Sequence, residues 1–527
     1  MHYFIPLRWK QTPFTMKKIP IGIQAFSSLI KGGFVYLDKT DMIYNIANTK
    51  ACYFLSRPRR FGKSLTLSTL AEYFDGQKEL FTDTKISRLE TKWESRPVLY
   101  FDFNSATYES LRNFREELGA QLEDYETEYN IPTRGSVASR FKRIVQTAYR
   151  LTGKEVVVLV DEYDKPLLNN ILRPELQDKI RKDMKSFYGV LKTCDEQIKM
   201  AFITGVTKFS KVSIFSDVNN LKDISAELQY ATLCGATEQE IHDYLDCYVQ
   251  QMADFNHITK DECYGQLKKW YEGYHFHPQS VDIYNPFGLL RALDTKEFKD
   301  YWFESGTPTF LVEWMKNNDM NLNLLEATKC DSSDLSKIDN FEDNPVPLLY
   351  QSGYLTIKSY DSEFETYTLC MPNREVAKAL PKFILNFNMP KTRREPFKIN
   401  NFVLDVRNGE CEAFMKRLSA LFADNSYKVV GEAELYFQNV FYLLFKLMGF
   451  YCEVERATSD GRMDAVVKTQ KYVYIFEFKL DHPAKEAIDQ INSKDYALPF
   501  SVDDRKLFKV GVSFSSETRR VAEWVIQ

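Results

Sequence analysis

The 527-residue sequence has no apolar run near the ~18–20 residues that a membrane-spanning helix needs, so no membrane association is expected. Cysteine is sparse and unordered. There are nine, an odd number, none forms a C-x-x-C pair, and a disulfide framework is therefore not expected. A reducing, cytoplasmic setting follows from that. The six histidines are scattered, and only His275 and His277 lie near each other, without a cysteine or third histidine, so an ordinary loop pair is favoured over zinc. An excess of charge of one sign is also missing. Sixty-nine Lys+Arg against 73 Asp+Glu give a net charge of −4, which removes a uniformly basic nucleic-acid coat and leaves only a local one. There is no internal repeat and no low-complexity tract. The opening MHYFIPLRWKQTPFTMKKIP lacks a small-residue cleavage site and a long apolar stretch, so residues 1–19 read as an arm rather than a secretory signal.

What is present is ample material for packed cores: 44% hydrophobic and 14% aromatic residues, in a chain long enough for about three domains. From about 20 to 235, short β-rich runs (Ala51–Ser56, Val98–Phe103, Val156–Val160, Met200–Thr204) alternate with amphipathic stretches, the pattern of a wound α/β domain. Residues 236–300 read mostly as helix. Thr237 followed by Glu240 is a capping-box start, and Ile241, Tyr244, Leu245 and Tyr248 recur at helical spacing. Residues 301–398 form a connecting region, for which a winged-helix-like form is one option, with weak strands near 350–358 and a basic Pro-containing linker at 390–396. Residues 399–527 show a second α/β pattern: helix 433–448, strands 450–456, 463–468 and 472–478, helix 483–494, strand 507–513.

Two stretches carry chemistry. Arg57-Pro58-Arg59-Arg60-Phe61-Gly62-Lys63-Ser64, running into Leu65, lies between an apolar strand and a helix, the setting of a P-loop. There backbone N–H groups face phosphate, Lys63 reaches the terminal phosphates and Ser64 ligates Mg²⁺. The first glycine of that pattern is Arg57 here. Val156–Val160 then ends in Asp161-Glu162, carboxylates at the edge where α/β sheets bind ligands: Asp161 for Mg²⁺, Glu162 to polarise the attacking water. Thr204 or Thr207, at the tip of a further strand, is a candidate γ-phosphate sensor or part of a plain turn. Arg59 and Arg60 are phosphate contacts or surface charges, and no arginine finger can be located.

The second stretch is Gly461-Arg462-Met463-Asp464, followed by a strand carrying Glu477-Phe478-Lys479. Alternation puts Glu477 and Lys479 on one face, and hairpin pairing brings Asp464 to Glu477. Oxygen ligands and a lysine at one place suit Mg²⁺-assisted phosphodiester hydrolysis. Glu434, near the start of the preceding helix, is a further carboxylate for that site. Gln490 and Tyr496 are candidates to support the metal shell or the nucleic-acid backbone. Arg393, Arg394, Lys398 and Arg462 offer local positive charge, or a solvated face.

These motifs, with IGIQAF (21–26), VYLDKT (35–40), RPRRFGKSL (57–65), LVDEYDKP (159–166), TGVTKFS (204–210), WYEGYHF (270–276) and YNPF (284–287), resemble a bacterial, Bacteroidales-type family. Its members join an AAA-ATPase-like domain to a C-terminal PD-(D/E)XK nuclease-like domain. YFQNVFYLLFKLMGF (436–450), SDGRMDAVV (459–467), IFEFKL (475–480) and QINSKDYALPF (490–500) resemble its nuclease part. The resemblance implies a P-loop NTPase with a parallel sheet and helical lid, then a restriction-endonuclease-like α/β domain with a mixed sheet. It also implies ATP and Mg²⁺ as cofactors, and Arg at position 57 is usual in it. The function expected is an ATP-binding, Mg²⁺-dependent nuclease, acting on DNA ahead of RNA, with homo-oligomerisation left open. The competing expectations are a nucleotide-operated switch or DNA-binding scaffold and, more weakly, a DNA-translocating motor.

Overall fold

The computed structural model describes residues 16–104, 106–209, 220–305, 322–332, 344–387, 398–424, 433–459 and 462–527, with a few isolated positions between. It divides into two compact units, an N-terminal one reaching Tyr301 without Ile171–Arg173, and a C-terminal one of Trp302–Gln527 that also takes in Ile171–Arg173.

The N-terminal unit is built on five short strands: β1 (Cys52–Ser56), β2 (Val98–Asp102), β3 (Val156–Asp161), β4 (Ile198–Gly205) and β5 (Leu221–Asp223). Their order is β2-β3-β4-β1-β5, and every pairing is parallel. Val156 to Val160 are β-branched or aliphatic and wholly buried, as a strand covered on both faces must be. Ser110 caps the helix Leu111–Glu128 and Ser136 caps Val137–Thr152, whose Phe141, Ile144, Val145 and Ala148 form its buried stripe. Parallel strands share one carboxyl edge, so the loops after β1, β3 and β4 gather there.

Beyond the sheet, Thr237 and Glu240 form the expected capping box, and Thr259 with Glu262 forms a second at the start of Lys260–Tyr271. The helices Asp246–Asn256, Lys260–Tyr271 and Pro286–Thr295 close over a core that includes Ile241, Leu245, Val249, Met252 and Leu267. Segment 236–300 is not all helix: between Tyr271 and Pro286 the chain turns back, pairing Tyr274 with Ile283 and Ala236 with Tyr284.

In the C-terminal unit a three-stranded antiparallel sheet, β6 (Thr328–Asp331), β7 (Thr356–Asp361) and β8 (Thr366–Cys370), runs in the order β6-β8-β7. A second sheet has the order β13-β12-β11-β10-β9, from β9 (Glu453–Ser459), β10 (Arg462–Lys468), β11 (Tyr472–Leu480), β12 (Lys506–Ser515) and β13 (Arg520–Ile526). It is mixed. β11 and β12 are parallel, with helix Ala484–Ser493 between them in sequence, and the other pairs are antiparallel. Gly511 lets that helix lie close, since a Cβ there would stand 2.4 Å from the Ala484 carbonyl oxygen. On the other face, helix Ala433–Met448 sets Phe441 and Phe445 against Phe476 and Phe478 of β11. Strand β13 and the helices Ile399–Asn408 and Cys411–Asp424 are elements that the sequence reading does not foresee. The linker 390–396, with Arg393 and Arg394, lies outside the described residues, as do residues 1–15.

Candidate functional site

At the carboxyl end of β1 the chain enters a loop shaped by two left-handed positions, Arg60 (φ 65) and Gly62 (φ 98), and then the helix Lys63–Phe74. A left-handed φ at Gly62 costs a glycine little and aims the following N–H groups outward at the helix start. Lys63 is buried, and its ammonium donates to the carbonyls of Arg57 (3.0 Å) and Pro58 (3.1 Å), holding the loop closed upon itself. Ser64 stands half-buried on the first helical turn.

The Arg57 side chain is taken up inside the fold. It is 1% exposed, its guanidinium donates to the carbonyls of Ser56, Ser225 and Tyr230, and it lies 4.0 Å above the Phe276 ring. Arg60 rests over Phe287 at 5.0 Å, and Arg59 is half-buried. Phe61 is buried edge-on against Tyr274 (4.8 Å) and Phe276 (5.7 Å), and its carbonyl accepts from Gly235 N–H. WYEGYHF and YNPF thus form the support beneath the loop. His275 in that support pairs with Asp282 at 3.0 Å and His277 accepts from the Gln279 N–H, so both histidines belong to the turn.

At the end of β3, Asp161 is buried and accepts from Thr204 Oγ1 (2.7 Å) and the Glu162 N–H (3.0 Å), with the Tyr100 hydroxyl at 3.4 Å. Glu162 takes a left-handed φ of 50, a strained position for a side chain with a Cβ, next to the buried acid. Thr204 therefore touches the Asp161 carboxylate, not open space. Thr207 donates to Asp164, a residue missed from the sequence alone. Asp164 is buried and also accepts from the Val206 and Thr207 N–H groups, which fixes the turn after β4. Burial pushes its carboxyl up despite these bonds. The third acid of DEYD was its only sequence trace.

Residues fit for Mg²⁺ and nucleotide stand on this edge: the Ser64 hydroxyl, a buried Asp161 oriented by Thr204, and a lysine at a helix N-terminus. Beside them, the first turns of the helix Lys63–Phe74 border an apolar cavity of about 100 Å³, lined by Gly62, Leu65 and Thr66 together with Tyr36, Leu37 and Leu233.

In the C-terminal unit the register of β10 on β11 sets Asp464 directly opposite Glu477. Glu477 is fully buried, and Lys479 on the same face donates to it at 3.2 Å and to Gln490 Oε1 at 2.5 Å. Gln490 so holds the lysine in place. Tyr496 packs with Ile475, Ile488 and Ile491 on that face, two residues along β11 from Glu477. Glu434 sits in the first turn of the helix that covers the opposite face, and Gln438 donates to it at 3.2 Å. Convergence of Glu434 on the site is thus not seen. Among the described residues no three His, Cys, Asp or Glu side chains stand close enough to hold a metal, and the side chains of Asp464 and Arg462 lie outside them. An oxygen-donor metal still suits the buried Glu477 carboxylate facing the Asp464 register position. Lys398 is exposed.

Comparison with known proteins agrees with both halves. A family model described as a predicted AAA-ATPase matches residues 20–215. One for the PD-(D/E)XK nuclease superfamily matches residues 432–524. "Uncharacterized protein in vnfD 5'region" of Azotobacter chroococcum mcd 1 is 34% identical over 523 residues, covering 97% of this chain and 99% of that protein. The chain belongs to the family of proteins that join an AAA-ATPase-like domain to a PD-(D/E)XK nuclease superfamily domain.

Proposed function

We propose that the chain is a nucleotide-controlled, Mg²⁺-dependent nuclease that hydrolyses phosphodiesters of DNA in the cytoplasm. The observation that carries it is the buried Glu477 with Lys479 and Gln490, set opposite Asp464. In this reading Asp464 and Glu477, with Glu434 drawn in from its helix, hold the metal. Mg²⁺ bound there supplies charge neutralisation at the scissile phosphate and a more acidic water. Lys479, kept in line by Gln490 and bonded to Glu477, orients the attacking water.

At the other site Lys63 releases the Arg57 and Pro58 carbonyls and takes the terminal phosphates, Ser64 and Asp161 hold Mg²⁺, and Glu162 accepts the proton of the attacking water. Thr204 positions Asp161, a role that replaces γ-phosphate sensing. No helix among the described residues is long and apolar enough to cross a membrane.

We also read β6–β8 as a winged-helix-like module. Its strand order and the helix Val346–Gln351 ahead of the β7–β8 hairpin support this. That helix buries Val346, Leu348 and Leu349, and the hairpin tip exposes Asp361, Glu363 and Glu365 around Phe364, itself 71% exposed. An acidic tip repels phosphate, so the nucleic-acid contact is assigned to the nuclease domain.

The test is cleavage of plasmid and oligonucleotide substrates with Mg²⁺, with and without ATP, by wild type and by Lys63→Ala, Asp464→Ala and Lys479→Ala. Asp464→Ala and Lys479→Ala should abolish cleavage, and Lys63→Ala only its response to ATP. Undiminished cleavage by Lys479→Ala would sink the catalytic assignment. Absence of cleavage on every substrate, with ATP still bound, would favour the switch or scaffold reading.

A further inference from the structure

The cavity beside the P-loop helix is largely apolar and carries one charged side chain. Lys39, from the segment VYLDKT, lines it with a side chain only 9% exposed. Its ammonium meets both Glu240 oxygens, at 2.5 and 2.6 Å. The other polar side chains on the wall are turned to their own backbone or to one another: Thr66 donates to the Gly62 carbonyl and lies by Cys234, and Thr69 donates to the Leu65 carbonyl. No carboxylate lines the cavity. An ammonium has three N–H donors and Glu240 takes two. Among the described residues the third has no partner.

A ligand filling this space is therefore offered an apolar wall bordered by Phe61 and Gly62 of the phosphate loop, and one charged donor. Phosphates seek the loop, where N–H groups and Lys63 lie. What suits the slot is the planar part of a nucleotide, which buries its ring faces against aliphatic side chains and presents ring nitrogens as acceptors. Glu240 keeps Lys39 charged where burial lowers its hold on a proton. Glu240 also closes the capping box at Thr237, which fixes its position on the first turn of the helical segment.

We propose that Lys39 reads the base of the bound nucleotide, donating its third N–H to a ring nitrogen of a purine, and that Glu240 is the positioning residue that aims it. This rests on the P-loop being a nucleotide site.

The experiment compares Mg²⁺–ATP with Mg²⁺–tripolyphosphate, which has the phosphates and no base, by titration calorimetry on the full chain. Lys39→Met should weaken ATP binding by about 10–100-fold, the worth of one buried charge-assisted hydrogen bond, and leave tripolyphosphate within about twofold. The double variant Lys39→Met/Glu240→Gln, which leaves no buried charge unpaired, should show the same split at wild-type melting temperature. Glu240→Gln alone should weaken ATP less than Lys39→Met. Wild-type ATP affinity in Lys39→Met, or equal loss of both ligands in the double variant, overturns the proposal alone. Wild type binding neither ligand overturns it together with the nucleotide reading.

Discussion

A guanidinium taken out of water needs partners for its donors, and the two Nη atoms of Arg57 find them in the carbonyls of Ser56, Ser225 and Tyr230. Replacing it by methionine leaves those carbonyls without their charged donor. The expected cost is roughly 2–4 kcal/mol of stability, read as a lower denaturation midpoint of the N-terminal unit. Thr204→Val keeps the shape but removes the hydrogen bond to Asp161, and should slow ATP turnover by about 10–100-fold with ATP affinity little changed. Glu272, in the turn under the loop, is pushed up to about 7 by burial. Such a group favours folding below its ordinary range and loses that contribution as pH rises toward 7. Glu272→Gln should accordingly gain in melting temperature relative to wild type between pH 5 and pH 8, and a constant difference would refute this. None of these partnerships could be read from the chain alone. The Ser225 and Tyr230 carbonyls that hold Arg57, and the Glu240 that holds Lys39, come from distant segments and leave no local pattern.

Elements were more legible than partners, for a physical reason. Runs such as Val156–Val160 and the alternation through Tyr472–Leu480 record burial directly, and burial is what a strand's neighbours impose. The helix at 433–448 follows from periodicity, and the approach of Asp464 to Glu477 follows once the two strands are paired as a hairpin. β13 was not legible: its Arg520, Ala522 and Glu523 are exposed, so an edge strand carries a weak pattern. The turn between Tyr271 and Pro286 interrupts a segment that reads mostly as helix, and Gly273 within it takes a left-handed φ of 94. The close seat of Ala484–Ser493 on β12 gives an element-scale prediction. Gly511→Ala forces a Cβ against the Ala484 carbonyl, should cost about 1–3 kcal/mol, and should displace Gln490 and slow cleavage through Lys479. Thermal melts with cleavage rates check both.

For the whole molecule, a net charge of −4 and an acidic hairpin tip leave little room for a broad electrostatic grip on nucleic acid. Binding should be local and dependent on metal. The dependence of log affinity on log salt should be shallow, about −0.9 for each phosphate neutralised, with few phosphates involved. A steep slope, as of a protein gripping many phosphates, would contradict that. Saturating Mg²⁺–ATP should raise the melting transition of the N-terminal unit by about 2.7 kcal/mol at a hundredfold excess over Kd, and Lys63→Ala should abolish that gain.

The loop and the turn beneath it have exchanged parts. Because Arg57 stands on Phe276 and Phe61 on Tyr274, restoring glycine at 57 would bring the loop nearer the common P-loop pattern while hollowing out its foundation. The two segments are thus locked into joint inheritance: either one transplanted into another P-loop protein, or reverted by itself, arrives without its counterpart. A chimera exchanging 57–64 together with 270–287 should keep its fold where one exchanging 57–64 alone does not.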